Sequence, residues 1–286
     1  MRALPISGHT RIFGLVGHPV RHSLSPAMYN TLFERLSIDA VYLAFDIHPD
    51  NACQVGEMIR VMGLAGVNLT VPFKEAVVSQ LDTTTNAASE AGAVNVVTHL
   101  DGTLMGFNTD GEGFVRSLAE EKGPSPDGLH AIILGAGGAA RAVASGLLDR
   151  GAKRISILNR SEARASIAAT ALQNSFSGAQ LDVGRLCIED FENRATEARL
   201  VVNCTSGPAA ATVATLSPDR LATGASWVDI NYWMDDPPGR TACKDAGVQF
   251  HNGLGMLAHQ AALAFELFTG HPVTGAELRT FLEEQA

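Results

Sequence analysis

Apolar and polar positions alternate along this chain in blocks of two periods, short apolar runs of strand length and longer stretches with helical spacing. Arg11-Ile-Phe-Gly-Leu-Val-Gly17, Val41-Tyr-Leu-Ala-Phe-Asp46 and Gly66-Val-Asn-Leu-Thr-Val71 read as strands. Between them, Ser25 to about Leu36 reads as a helix, with Ser25 as N-cap and Pro26 at the first helical position. A second helix is expected from Asn51 to Met62, with Val55, Met58, Ile59 and Met62 on one face and Gly63 closing it. Val94–Thr98 and Thr103–Gly106 flank Asp101-Gly102, a hairpin signal. Thr109 and Glu112 form a capping-box pattern, which starts a helix with Asp110 in its first position. Lys122–Gly128, rich in Pro and Gly, reads as a surface loop. The second half repeats the alternation, with strands Ala131–Leu134, Arg154–Leu158, Leu200–Cys204 and Ser226–Ile230. It closes on a long apolar helix from Asn252 to Phe268 that carries Gln260. Strands alternating with helices predict an α/β fold with mainly parallel sheets.

Between the strand at Ala131 and the helix after it stands Gly135-Ala136-Gly137-Gly138-Ala139-Ala140-Arg141. Glycines here allow a sharp reversal and let backbone N–H groups approach a ligand closely, and the helix start favours a pyrophosphate. Ala140 stands where the third glycine of the dinucleotide fingerprint often sits. Roughly 20 residues downstream, where an acid would read the free ribose 2′-OH of NAD, the chain has Asn159, Arg160, Ser161 and Arg164. Arginine there suits a 2′-phosphate, so the expected cofactor is NADP.

Composition narrows the setting. At 286 residues the chain has length for two domains. A net charge of −9 without a basic run disfavours nucleic acid and anionic membranes as partners. Cys53, Cys187, Cys204 and Cys243 are scattered without a Cys-x-x-Cys pair, as in a reducing compartment. Residues 1–11 lack the pattern of a signal peptide, and no apolar run reaches membrane-spanning length, so a cytoplasmic protein is expected. His18 and His22 have a spacing that could suit a metal, but a Pro-interrupted loop without clustered acids or cysteines is a poor site, and no metal is expected.

Several polar residues gather at the carboxyl ends of the predicted strands, where open α/β sheets place their sites. Ser23 and Ser25 follow the first strand, and Thr70 and Lys74 the third. A lysine at a helix start opposes the dipole's preference, and two hydroxyls near it hint at a polyol ligand. Each has a plain structural reading as well: Ser25 as a cap, Lys74 as a surface charge, Asp110 as part of a capping box.

Taken together and in order, these segments resemble the shikimate dehydrogenase family over nearly the whole chain. Gly17-His-Pro-Val-Arg-His-Ser-Leu-Ser-Pro26 is similar to its substrate loop, Asn68-Leu-Thr-Val-Pro-Phe-Lys74 to its lysine segment, and Gly106-Phe-Asn-Thr-Asp110 to its aspartate segment. Gly135–Arg141 and Asn159–Arg164 are similar to its NADP elements, and Gly253–Gly270 to its closing helix. The resemblance implies that Lys74 and Asp110 are the catalytic pair. It implies that Ser23, Ser25, Thr70, Lys74, Asn95, Asp110, Tyr232 and Gln260 hold a small polyhydroxylated cyclohexene carboxylate. The cofactor set would be Gly135, Ala136, Gly137, Gly138, Ala139, Asn159, Arg160, Arg164 and Gly253. It further implies two domains: a substrate domain of residues 1–109 with 253–286, and a Rossmann-like NADP domain of residues 110–252, the C-terminal helix returning to the first. The chain would act as a monomer or homodimer.

The implied reaction is NADP-dependent interconversion of 3-dehydroshikimate and shikimate. Reducing a ring carbonyl with a hydride leaves an alkoxide that needs a proton, which a lysine can give and reclaim. Two segments depart from the family pattern. Asn203-Cys-Thr-Ser-Gly-Pro208 lacks the Gly-Met that follows the family's Asn-x-Thr, and Trp233-Met-Asp-Asp-Pro-Pro238 replaces an expected Asn-Pro and Thr after Tyr232. A member preferring quinate or aminoshikimate is therefore the alternative, and a non-catalytic NADP-binding sensor a further one. Relatives that take quinate often carry threonine at the second serine of the substrate loop, so Ser25 leans toward shikimate.

Overall fold

The apolar runs assemble into two six-stranded sheets, each the centre of one of two compact units. The computed structural model describes residues 6–205, 207–234 and 236–285. One unit holds the chain up to Thr109 together with residues from Ala261 onward, and the other holds Asp110–Gln260. The mixed α/β, two-domain expectation is met.

The first unit runs β1 (Arg11–Gly17), α1 (Ser25–Arg35), β2 (Ala40–Asp46), α2 (Val55–Val61), β3 (Gly66–Leu69), α3 (Phe73–Ala76), β4 (Thr83–Thr84), α4 (Asn86–Ala91), β5 (Val96–Leu100) and β6 (Thr103–Phe107). Its sheet order is β2-β1-β3-β5-β6-β4. β1 pairs in parallel with β2 and β3, whereas β5 runs antiparallel to β3 and β6. The antiparallel hairpin is the one Asp101-Gly102 announced. Both residues have positive φ, 50° and 78°, which is what a two-residue primed turn requires. One face of the sheet packs Val16, Ile59, Leu64, Val67, Phe73 and Val97. An aromatic cluster involves Phe13, Tyr29, Phe33, Tyr42, Phe265 and Phe268, with Tyr29 and Tyr42 stacked at 4.4 Å.

The second unit runs α5 (Asp110–Glu120), β7 (His130–Leu134), α6 (Gly138–Asp149), β8 (Arg154–Asn159), α7 (Glu162–Ser175), β9 (Gln180–Arg185), α8 (Ile188–Ala195), β10 (Leu200–Asn203), α9 (Ala210–Val213), β11 (Ser226–Asp229), α10 (Arg240–Ala246) and β12 (Gln249–Asn252). α11 (Leu254–Thr269) begins in it, and α12 (Gly275–Gln285) closes the chain in the first unit. Residues 253–260 count with the second unit. Every strand pairing in this sheet is parallel, in the order β12-β11-β10-β7-β8-β9. That is the doubly wound dinucleotide-binding order, with its reversal between β7 and β10. Strands β7, β10 and β11 are wholly buried, as strands covered on both faces must be.

Two glycines let α5 and α6 meet without side chains between them. A Cβ on Gly146 would stand 2.7 Å from the carbonyl carbon of Gly111, and one on Gly111 would strike the Ala142 carbonyl oxygen. Gly113, on α5, lies as close to α11: its Cβ would be 2.7 Å from the backbone nitrogen of Gln260.

Four local expectations are corrected. α1 starts at Ser25, one residue early, because Leu24 already has right-handed helical dihedrals. Ser25 is therefore inside the helix and does not cap it. The Oγ of Ser23 instead accepts the Ser25 N–H at 3.2 Å. The capping box at Thr109 does not close, since the Thr109 N–H donates to Asn95 Oδ1 at 2.8 Å. Glu112, its expected partner, instead accepts from Arg116 and Arg150. The helix expected over Asn51–Met62 opens as a 3₁₀ turn, Pro49–Gln54, and becomes α-helical only from Val55 to Val61, leaving Met62 half exposed. The third strand stops at Leu69, and Val71, expected within it, is 65% exposed.

Candidate active site

In the first unit, the sheet brings Ser23, Ser25, Thr70, Lys74 and Asn95 to one end. β1 and β3 are parallel neighbours, so the loops leaving both emerge together. A Cβ on Gly17 would press on the Thr70 methyl and stand 2.6 Å from Val20, so the loop after β1 lies directly against Thr70. The His18 N–H donates to the Val71 carbonyl at 3.0 Å, and the Thr70 N–H to the Val16 carbonyl at 2.9 Å. Lys74 is held through its backbone, whose carbonyl accepts the Val94 N–H at 2.8 Å, next to Asn95.

Asn95 is 2% exposed and sits in a buried polar chain. The Tyr42 hydroxyl donates to Asn68 Oδ1 at 2.7 Å, and Asn68 Nδ2 donates to the Asn95 carbonyl at 3.3 Å. Asn95 Nδ2 then donates to Thr109 Oγ1 at 2.8 Å. Such a satisfied network fixes orientation. It holds Thr109, the residue before Asp110. The sequence reading singled out Asn95 but not its supports, Tyr42 and Asn68. A tyrosine inside a strand and an asparagine in an apolar run were the signals available. His18 has Nδ1 at 2.7 Å from Asp46 and belongs to this rim. Among the described residues no group of three or more His, Cys, Asp and Glu could hold a metal.

In the second unit, Asp110 is the first residue of α5 and is 3% exposed. Gln260 lies on α11 against Gly113, one turn further along the same face of α5, so this contact places the two predicted residues on adjoining helices. Gln260 Nε2 donates to the Leu257 carbonyl at 3.0 Å. α5 is held at its other end too, where Glu120 meets His259 at 2.8 Å and Glu121 meets His251 at 3.2 Å.

The predicted cofactor residues gather at the carboxyl ends of β7 and β8. Gly135 has φ of +109°, a conformation that excludes a Cβ without strain, and its Cβ would meet the Cys204 carbonyl oxygen at 3.2 Å. Gly137 is the N-cap of α6 with open space where a Cβ would be, and Gly138 and Ala139 form its first turn. Three features therefore suit a pyrophosphate: a strained turn, a bare N-cap and a twelve-residue helix pointing its N-terminus at the gap. Ala140 is buried in the core, where its methyl packs between sheet and helix. At the end of β8, Asn159 Nδ2 donates to the Ser161 carbonyl at 2.9 Å, and Ser161 caps α7. Arg160 and Arg164 are exposed beside it. In register with Asn159 on β9 is Arg185, a third cation that the sequence reading missed because β9 had not been recognised as a strand.

Gly253 is buried, with a Cβ position 2.6 Å from the Ile230 carbonyl carbon. Tyr232 lies just beyond β11, edge to face with Trp233 at 5.2 Å, and burial raises its phenol above the usual range. Beneath it, Asp229 is fully buried; burial raises its carboxyl above the usual range, while bonds from Asn203 and Asn231 pull the other way. Of the two departing segments, Ser206 and Asp235 lie outside the described residues.

Comparison with known proteins gives the same picture over the whole length. Residues 15–97 match the family model for the shikimate dehydrogenase substrate binding domain, and residues 117–231 that for shikimate / quinate 5-dehydrogenase. Residues 253–273 match the shikimate 5′-dehydrogenase C-terminal domain. A shikimate dehydrogenase (NADP(+)) of Geobacter metallireducens is 38% identical over 268 residues, covering 93% of this chain and 94% of that protein. The crystal structure of shikimate 5-dehydrogenase from Listeria monocytogenes, in complex with shikimate and NAD, matches with a TM-score of 0.85 at 33% identity, covering 97% and 98% of the two chains. That of the Thermus thermophilus enzyme, in complex with NADP(H) and shikimate, matches at 0.79 and 33%, covering 96% and 100%. Identity at this level across both units, with the glycine turn and the polar strand ends in place, establishes that the chain belongs to the shikimate dehydrogenase family.

Proposed function

We propose that the protein is an NADP-dependent oxidoreductase that interconverts 3-dehydroshikimate and shikimate. The observation that carries this is the chain's full-length kinship with NADP-dependent shikimate dehydrogenases, in a sequence that has Lys74, Asp110 and the Gly135 turn. The unit up to Thr109, with the returning C-terminal helices, takes the substrate, and the unit around β7 takes the cofactor. The glycine turn and the start of α6 would hold the pyrophosphate, and Arg160 with Arg164 the 2′-phosphate. Bound there, the nicotinamide supplies the hydride.

The chain's own residues do the rest. Lys74 donates a proton to the oxygen of the ring carbonyl as it is reduced, and accepts it in the reverse direction. Asp110 orients the lysine and binds a ring hydroxyl. Ser23, Ser25, Thr70, Asn95, Tyr232 and Gln260 hold the remaining hydroxyls and the carboxylate. Polyol recognition of this kind suits the neutral donor–acceptor pairs present, since each hydroxyl both gives and takes a hydrogen bond. The protein works in the cytoplasm, as a monomer or homodimer, with no nucleic-acid or membrane partner. Cys53, Cys187 and Cys243 are free thiols, in keeping with a reducing compartment, and among the described residues no helix is long and apolar enough to cross a membrane.

The test is an assay of the purified protein with shikimate and either NADP or NAD, followed by nicotinamide absorbance. Turnover with NADP is expected; no turnover with any ring acid, despite cofactor binding, would convert the reading to a non-catalytic NADP sensor.

A further inference from the structure

One buried carboxylate ties together the two loops that leave β10 and β11. Asp229 ends β11 with no exposed surface. Its Oδ2 accepts from Asn203 Nδ2 at 2.8 Å, and its Oδ1 accepts both the N–H and the Nδ2 of Asn231, at 2.9 and 2.7 Å. Asn203 Oδ1 in turn accepts the N–H and the hydroxyl of Thr205, at 3.1 and 2.7 Å. Asn231 Nδ2 also donates to the Thr205 carbonyl at 2.9 Å, closing the ring of bonds. A buried ionisable group is costly, and the groups that bond to this one are the neutral amides of Asn203 and Asn231 rather than a cation; an apolar residue would close the strand end at lower cost. What the carboxylate adds is the fixed placement of both loops.

Strand order says what those loops face. A dinucleotide lies outside the strand carboxyl ends, across the reversal between β7 and β10. Arg160 and Arg164, after β8, mark the adenosine side. The other half of the dinucleotide must then extend over β10 and β11. The loop after β10 already touches the glycine turn, where Gly135 leaves only 3.2 Å between a Cβ and the Cys204 carbonyl oxygen. We propose that Asp229 is a positioning residue that fixes Thr205 and the Asn231–Tyr232 turn as the floor on which the nicotinamide half of NADP is seated. It does so through Asn203 and Asn231. The assignment rests on the NADP reading above.

The bond pattern supplies its own test. In Asp229→Asn, the new Nδ2 faces the Nδ2 of Asn203, donor against donor, and turning Asn203 over only moves the conflict to Thr205. The reciprocal pair, Asn203→Asp with Asp229→Asn, reverses one donor and one acceptor and keeps every bond. Three things are measured: binding of 2′-phospho-ADP-ribose by calorimetry, the emission shift of NADPH on binding, and kcat. The wild type should bind both ligands and blue-shift NADPH. Asp229→Asn should bind the nicotinamide-free fragment within about twofold of wild type, lose the emission shift, and fall about ten- to a hundredfold in kcat. The reciprocal pair should regain both. Should Asp229→Asn fail to fold, Thr205→Val, which removes only the hydroxyl bond to Asn203, should show the same split between fragment binding and emission shift.

A wild type that binds neither ligand would remove the cofactor reading and this assignment with it. A wild type that binds both, beside an Asp229→Asn variant with an unchanged emission shift, would overturn the assignment alone. So would equal weakening of fragment and NADPH, or a reciprocal pair that restores nothing.

Discussion

His130 Nε2, at the start of β7, lies 2.9 Å from the hydroxyl of Ser156 on β8, at the end of the sheet away from the glycine turn. Burial, with Arg154 nearby, holds this imidazole down at about 4. The folded state therefore keeps His130 neutral where the unfolded chain would protonate it. Its contribution to stability is complete above about pH 6.5 and is lost as the pH falls from there toward about 4. The loss should be on the order of 1–3 kcal/mol after allowance for solvent screening. Denaturant unfolding of wild type and His130→Gln at a series of pH values checks this: the variant should show a flatter dependence across that window. Parallel curves would show that His130 does not set it.

Cofactor choice should follow Arg160. A charge-assisted hydrogen bond to the 2′-phosphate is worth ~1.5–3 kcal/mol. Arg160→Ala should weaken NADP about tenfold to a hundredfold and leave NAD nearly unchanged, read as the ratio of the two dissociation constants. Arg164 and the newly recognised Arg185 would soften the loss. Equal weakening of both cofactors would count against a 2′-phosphate contact.

Lys74→Met keeps the aliphatic stem and removes the ammonium. NADP binding should hardly change, KM for shikimate should move little, and kcat should fall ~10²–10⁴-fold. Asp110→Asn should also be slow. The double variant should lose less than the two single losses combined, because the pair acts as a unit. Near-normal kcat in Lys74→Met would take the lysine out of the mechanism and make Tyr232 the next acid to test.

Shikimate should exceed quinate and aminoshikimate in kcat/KM, since a site that bonds each hydroxyl leaves buried polar groups unpaired around the wrong acid. Competition assays with the three acids measure this directly. Equal or better turnover of quinate or aminoshikimate would assign the protein to another branch of its family, with the run after Tyr232 as the segment to exchange.

Most of the frame was legible because its strands are continuous apolar runs and its turns carry glycine where φ must be positive, as at Gly135 and Gly102. What escaped reading lacked that contrast. β9, Gln180-Leu-Asp-Val-Gly-Arg185, carries two charges and a glycine in six positions. α8 is only eight residues long, Ile188–Ala195, about two turns, too short a window for its helical period to be told from a loop. The local signals were overridden for another reason: Ser25 has cap chemistry, but the helix already begins at Leu24's dihedrals, and the Thr109 N–H that a capping box needs is taken by a tertiary partner. The Thr109 N–H went to Asn95, fourteen residues away, and no local pattern announces such a bond. The candidate residues themselves were found through spacing and kinship, whereas their supports, Tyr42, Asn68, Asn203 and Asp229, emerged only with the fold.

Gly111 and Gly146 give α5 almost no freedom to turn about its own axis. A helix normally settles its rotation through many side chains, and exchanging one of them shifts it by a few degrees. Here bare backbone rests on bare backbone on one side, and Gly113 on Gln260 holds a second side. The backbone position from which the Asp110 carboxylate projects, one residue before Gly111, is thus set by missing methyl groups. Drift in the polar residues around this helix can retune the ligand without disturbing the aim of the acid, but a single alanine at any of the three glycines would swing it.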